Sequence, residues 1–130
     1  MKKMVVIMSH PLTEEQKEDA RNSLGVTKFV ALPEPLLGLW SNVPPDLNKE
    51  ETREYVRPIL EWCYAQGFGG EAIFLVHGQP GAQNTVVNIV NRTSGTCYYA
   101  TTKRVYVETI NPDGSVTKSS VFKHVRFVEY

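Results

Sequence analysis

Two five-residue stretches, Met4–Met8 and Ala72–Val76, are apolar at every position. A strand with one wet face alternates apolar and polar residues. A strand with no polar position is covered on both sides, as in the centre of a parallel sheet. Parallel neighbours cannot be joined by a tight hairpin, so the intervening segments must supply crossover helices. This constraint organises the rest of the chain.

Pro11 stops the first strand. Thr13 with Gln16 spells a capping box, Glu14 and Glu15 suit a helical first turn, and Gly25 suits a C-terminal cap after Leu24. The apolar face of this helix is thin, mainly Ala20 and Leu24. Phe29–Leu32 reads as a second strand and completes a β-α-β unit. Pro33 to Asp46 holds four prolines with Leu36, Leu37 and Trp40. It is too apolar for a solvated linker and reads as an ordered loop with a short helical turn that packs Trp40. Asn48 with Glu51 forms another capping box, which predicts a helix over Glu50–Gln66 ended by Gly67. Pro58 within it predicts a kink, or a true start nearer Tyr55. After Ala72–Val76, the Gly78–Ala82 turn leads into a helix carrying Val86, Val87, Ile89 and Val90 that ends near Arg92. Cys97–Ala100 is a fourth strand. Arg104–Ile110 alternates, Asn111–Gly114 is a turn sequence, and Ser115–Tyr130 offers further extended segments. The expected fold is one Rossmann-like α/β domain over residues 1–130, with a mainly parallel central sheet finished by a C-terminal antiparallel hairpin.

With 42% hydrophobic and 22% charged residues, the chain can bury a core, and disorder is not expected. Its formal net charge of zero argues against long duplex nucleic acid, which calls for a broad basic face. Cys63 and Cys97 fit no disulfide or CxxC pattern and read as buried reduced thiols of a cytoplasmic protein. The apolar run after Met1-Lys2-Lys3 is too short for a signal or membrane segment. His10, His77 and His124 are scattered and lack paired carboxylates, so neither a metal site nor a cofactor is expected.

In open α/β sheets, ligands bind just beyond the carboxyl ends of the strands. Three polar segments follow apolar runs here: Ser9-His10, Gly78-Gln79-Pro80-Gly81-Ala82, and Thr101-Thr102-Lys103-Arg104. The last reads as a phosphate-gripping turn. Arg104 supplies a planar fork of donors, Lys103 a point charge, and Thr101 and Thr102 neutral donors that fix orientation. Ser9 and His10 could bond a phosphate or move a proton, or merely satisfy a turn. Gly78, Gln79, Gly81 and Ala82 lack the spacing of a dinucleotide fingerprint but present amides at a helix start, and a plain strand-to-helix turn is the alternative. Alternation puts Phe122, His124 and Arg126 on one face of a C-terminal strand, where His124 and Arg126 could complete an anion site or simply protect a sheet edge.

The Ser9–Gln16 segment, the Leu39–Pro44 loop, Gly78–Ala82, Tyr99–Arg104 and Phe122–Phe127 together resemble the Csx-twenty family. These are small proteins of type III CRISPR systems related to CARF (CRISPR-associated Rossmann fold) domains. The opening segment is also similar to that of the fifteenth Csx family. The Csx-twenty resemblance implies a homodimeric ring nuclease that cleaves a cyclic oligoadenylate, expected to be cyclic tetra-adenylate, without a metal. It further implies catalytic work by Ser9, His10, Lys103, Arg104 and His124. Ligand binding would fall to Trp40, Gly78, Gln79, Gly81, Ala82, Thr101, Thr102 and Arg126, with Trp40 stacked on adenine. In the family the position after Gly78 is often acidic; Gln79 here can hydrogen-bond but cannot act as a base. Two other classes fit the same residues: a sensor or sponge that holds the ligand uncut, and a protein-interaction domain built on Trp40 and the hairpin.

Overall fold

The two uninterrupted apolar runs lie side by side at the centre of the molecule. In the computed structural model, which describes residues 2–67 and 72–130, β1 (Lys2–Ile7) pairs in parallel with β3 (Ala72–Val76) from Lys3↔Ala72 to Ile7↔Val76. On its other side β1 pairs in parallel with β2 (Val26–Ala31). The sheet continues through β4 (Thr96–Ile110) and β5 (Val116–Glu129) in the order β2-β1-β3-β4-β5, with β5 alone antiparallel to its neighbour. The chain is therefore a mixed α/β protein with a mostly parallel five-stranded sheet and an antiparallel C-terminal pair.

Helices cover both faces. α1 (Glu14–Leu24) lays Ala20 and Leu24 on Met4, Val6, Ile73 and Leu75. α2 (Leu36–Ser41), α3 (Lys49–Gln66) and α4 (Pro80–Arg92) cover the other face, where Val56, Ile59, Cys63, Val86 and Val90 meet Val5, Ile7, Phe74 and Val76. Alternate residues of β1 and β3 thus feed two separate cores, which is why neither strand tolerates a polar position. The first connection leaves β1 toward β2 and the next returns past β1 to β3, so the sheet changes winding direction at the β1/β3 seam.

The local signals act as the sequence predicts at the helix starts. Thr13 and Gln16 exchange both capping-box hydrogen bonds, as do Asn48 and Glu51. Gly25 closes α1 in the left-handed conformation, φ 71°. Pro58 neither breaks nor delays α3, which starts at Lys49 because the Asn48 cap fixes it there. Its missing N–H concerns an exposed face, where water can serve the freed carbonyl. The Pro33–Asp46 segment contains α2, and Trp40 is 3% exposed. No helix among the described residues is long and apolar enough to cross a membrane.

The expected turn at Thr101–Arg104 is absent. β4 pairs with β3 only over Thr96–Tyr98 and then runs on as one strand to Ile110, paired with β5. Two side chains replace the β3–β4 ladder at this point. The His77 ring accepts the Ala100 amide at 2.9 Å, and the Tyr130 hydroxyl donates to the Val76 carbonyl at 2.8 Å. Beyond them the β4–β5 hairpin rises past the carboxyl edge of the sheet as a two-stranded arm.

Candidate ligand site at the carboxyl edge of the sheet

β1 and β3 end side by side, so Ser9 and His10 emerge next to His77 and Gly78. The His77 amide donates to the Ile7 carbonyl at 3.0 Å, which ties the two strand ends together. His77 is half-buried; burial lowers its pKa, and the nearby His10 ring lowers it further. Because Nε2 accepts the Ala100 N–H, neutral His77 carries its proton on Nδ1. His10 is exposed, with Nδ1 at 3.4 Å from the Pro11 carbonyl. Serving as the acceptor for a strand commits His77 to structure and leaves His10 as the more available imidazole.

A cavity of about 330 Å³ opens beside them, between the ends of β1 and β2. Its walls are apolar, built from Val6, Met8, Leu12, Phe29, Leu32 and Leu37, while Ser9, His10 and Lys17 supply polar groups at its border. Such a chamber suits one flat apolar group with an anionic appendage. Lys17 was not singled out from the sequence. The signal was available, because the Thr13 capping box starts a helix at a strand's carboxyl end and Lys17 lies four residues on. Its ammonium lies 3.6 Å from the Glu14 carboxylate, and the side chain is 33% exposed.

Several expected ligand contacts serve the fold instead. The Trp40 indole N–H donates to the His77 carbonyl at 2.8 Å, and the ring lies against Gly78 in the core. Buried in this way, Trp40 cannot stack on an adenine. Two of the four N–H groups of Gly78–Ala82 are satisfied within the chain. Gly78 donates to the Gln83 side chain at 2.9 Å, and Ala82 to the Gln79 side chain at 2.8 Å, so Gln79 is the N-cap of α4. Pro80 has no amide to offer, and the Ala82 side chain is buried.

His124 and Arg126 do not share a face. A bulge at Val125 sets His124 opposite Thr102 and Arg126 opposite Thr101, so the two side chains diverge. His124 turns to α1 and donates Nε2–H to the Asp19 carboxylate at 2.7 Å, with its ring 4.7 Å from that of Phe127. Its side chain is 5% exposed, and Nδ1 is buried with no hydrogen bond. Burial pushes the Asp19 carboxyl up, but hydrogen bonds from Ser23 and His124 and the charges of His124 and Arg126 outweigh it, and the net shift is downward. His124 therefore clasps β5 to α1 and lies away from the strand-end cavity. Thr101 donates its hydroxyl to the Arg126 carbonyl at 3.1 Å. Thr102, Lys103 and Arg104 are exposed on the arm; Lys103 stands opposite Lys123, and the Arg104 guanidinium lies 5.2 Å from the centre of the Phe122 ring. Among the described residues no three His, Cys, Asp or Glu side chains converge on a point suited to a metal.

Sheet order, winding reversal and an edge cavity define an α/β protein with its candidate site at the switch point. The chain belongs to the family described as Uncharacterized protein MJ1673, whose model matches residues 2–128. It is 37% identical over 130 residues to the protein of that name from Methanocaldococcus jannaschii, covering 100% of this chain and 98% of that one. No solved structure matches the chain.

Proposed function

We propose that this protein is a CARF-like ring nuclease that opens a cyclic oligoadenylate, cyclic tetra-adenylate first among them, as its resemblance to the Csx-twenty proteins implies. One observation carries the reading: an apolar chamber at the β1 end is bordered by Ser9, His10 and Lys17 and adjoins the seam where β1 and β3 part. The walls offer an adenine a dry surface, and Lys17 offers a phosphate its charge. Lys103 and Arg104 stand on the arm that rises from the same edge. In the reaction a ribose 2′-oxygen bonds to the adjacent phosphorus, and the bond from phosphorus to the 5′-oxygen breaks. The 2′ proton leaves to a base and the 5′-oxygen takes one up, giving a 2′,3′-cyclic phosphate and a 5′-hydroxyl. The substrate supplies the nucleophile. The protein has only to hold it in line, stabilise charge on the phosphoryl oxygens and move protons. His10 is the group available for proton movement.

The twofold ligand calls for a homodimer, and the arm supports one. Tyr106, Ile110 and Phe122 are 77%, 78% and 69% exposed, which is more apolar surface than a two-stranded ribbon can cover alone. The arm carries Lys103, Arg104 and Lys123 outside any ion pair among the described residues, while α1 presents Glu15 and Glu18. A second copy therefore supplies both an apolar and a charge-complementary partner.

The test is incubation of purified protein with radiolabelled cyclic tetra-adenylate in excess EDTA. Linear products ending in 2′,3′-cyclic phosphate support the reading, and His10→Ala then slows turnover by about 10²–10⁴ with little loss of affinity. An intact ring that stays bound favours a sensor or sponge. The commitment of His77 and His124 to structural hydrogen bonds speaks for that second reading, because binding needs no proton transfer.

A further inference from the structure

On the opposite side of the sheet from α1, a second cavity of about 280 Å³ lies in the groove between α3 and α4. Packed helices fill such a groove with apolar side chains; this one is polar along most of its length. From α3 it is lined by Lys49 and Arg53, and from α4 by Asn84, Thr85, Asn88 and Arg92. The spacing is helical on both sides: Lys49 to Arg53 is one turn, and Asn84, Asn88 and Arg92 repeat every fourth residue. Three cations and no carboxylate line the cavity. None of the three is in an ion pair among the described residues, although Glu54 on the same helix pairs with Arg57 and Glu14 with Lys17. Glu51 is occupied at the Asn48 amide. The cations therefore stand within one concavity without a counter-charge, each reinforcing the field of the others.

We infer that the α3/α4 groove is a second ligand site, for a phosphate-bearing molecule no larger than a mononucleotide. Arg53 lines the groove from α3 and Arg92 from α4, so a phosphate seated between them takes charge-assisted hydrogen bonds from both walls, and Lys49 adds a third positive charge to the same cavity. The amides of Asn84 and Asn88 offer both donors and acceptors, the complement of a sugar or base edge rather than of a bare ion. The volume lies at the small end for ligand pockets and excludes an oligonucleotide threaded through it. The site is separate from the chamber beside His10, which shares no lining residue with it.

Isotope-labelled protein is titrated with inorganic phosphate and, separately, with adenosine 5′-monophosphate, at constant ionic strength with chloride as the balance. Saturable shifts are expected at the Asn84 and Asn88 side-chain amides and the Arg53 and Arg92 Nε–H groups. Equal affinity for the two probes assigns the groove to phosphate alone, and tighter binding of the nucleotide assigns the nucleoside to the asparagines. Arg92→Gln should weaken binding about tenfold, with Arg92→Lys intermediate. Arg92 is exposed, so the fold survives either change. Shifts that do not saturate, that chloride reproduces, or that appear only around His10 and Lys17 would overturn the assignment. Because no cyclic oligoadenylate is used, the result is independent of the ring-nuclease reading.

Discussion

Gly78→Ala is the sharpest single perturbation of the strand-end region. A methyl group built at Gly78 would meet the Trp40 ring at 2.5 Å from Cζ2, 2.7 Å from Cε2 and 2.9 Å from Nε1. These are backbone-to-ring approaches that no rotamer of alanine can relieve. Trp40 cannot simply retreat, because it is buried among Leu32, Val56 and Leu60 and held by its 2.8 Å bond to the His77 carbonyl. Overpacking of this kind costs about 1–3 kcal/mol, and stretching or breaking the indole hydrogen bond adds about 1. The expected loss is therefore about 2–4 kcal/mol, read as a lower midpoint in urea with little change in slope. A double-mutant cycle isolates the cause. Trp40→Phe removes Cζ2 and Nε1, so in that background Gly78→Ala should cost below about 1 kcal/mol, leaving a coupling of roughly 1–3 kcal/mol. A cost under about 0.5 kcal/mol in the otherwise native chain, or the same cost in both backgrounds, would refute the close-approach argument.

His77 predicts an acid limb. Its folded pKa lies below its ordinary value of 6.5, so the unfolded chain takes up the proton first, and stability present above pH 6.5 falls as pH drops through that window. Replacing His77 with Leu should flatten that part of the pH profile and cost about 1–3 kcal/mol at neutral pH, because the Ala100 amide loses its acceptor; an unchanged profile would remove His77 from the argument. Asp19→Asn should lower stability by about 1–3 kcal/mol yet leave ligand affinity and turnover alone, since the buried His124 clasps α1 and lies outside the cavity; loss of turnover without loss of stability would return His124 to the site. Ile110→Lys, at the far end of the arm and 78% exposed, should dissociate the proposed homodimer in analytical ultracentrifugation without unfolding the monomer; a dimer of native stability would place the interface elsewhere. Lys17→Ala should weaken binding of cyclic tetra-adenylate about tenfold, while an unchanged affinity by calorimetry would assign the chamber beside His10 to another ligand.

The sequence was most informative where one local rule decides the outcome. Met4–Met8 and Ala72–Val76 could only be central strands, because each places alternate residues into two different cores. Thr13–Gln16 and Asn48–Glu51 marked two helix starts, the second at Lys49 against the expected Glu50, and it overrode the objection raised by Pro58. The errors lie where a tertiary partner decides. Nothing local distinguishes a strand that turns at Thr101 from one that runs to Ile110; that depends on β5 arriving to pair with it. Simple alternation failed at Val125 because a bulge shifts the register by one, and this moved His124 from the expected anion face to α1.

Hydrogen-bonding capacity separates the proposed site residues that remain candidates from those that do not. A polar side chain near a strand end is a candidate ligand only while its hydrogen-bonding capacity remains open. The Trp40 N–H, the His77 Nε2 and the Gln79 Oε1 each meet a group that folding would otherwise leave unpaired, namely a carbonyl, a strand amide and a helix-start amide, and the buried His124 gives its Nε2–H to the half-buried Asp19 carboxylate. Withdrawing any of these to hold a ligand would strand a partner, at a cost comparable to the bond gained. Among the described residues Ser9 and His10 bind no such partner strongly; the side-chain hydrogen bond of His10 is a 3.4 Å approach to its neighbour's carbonyl. Among the described residues Lys17 has a single ion pair on the helix surface, and Lys103 and Arg104 stand on the arm in no ion pair. These five residues can engage an anion without dismantling the fold. The candidate chemistry therefore falls on Ser9, His10, Lys17, Lys103 and Arg104, and Trp40, His77, Gln79 and His124 hold the sheet in the shape that presents them.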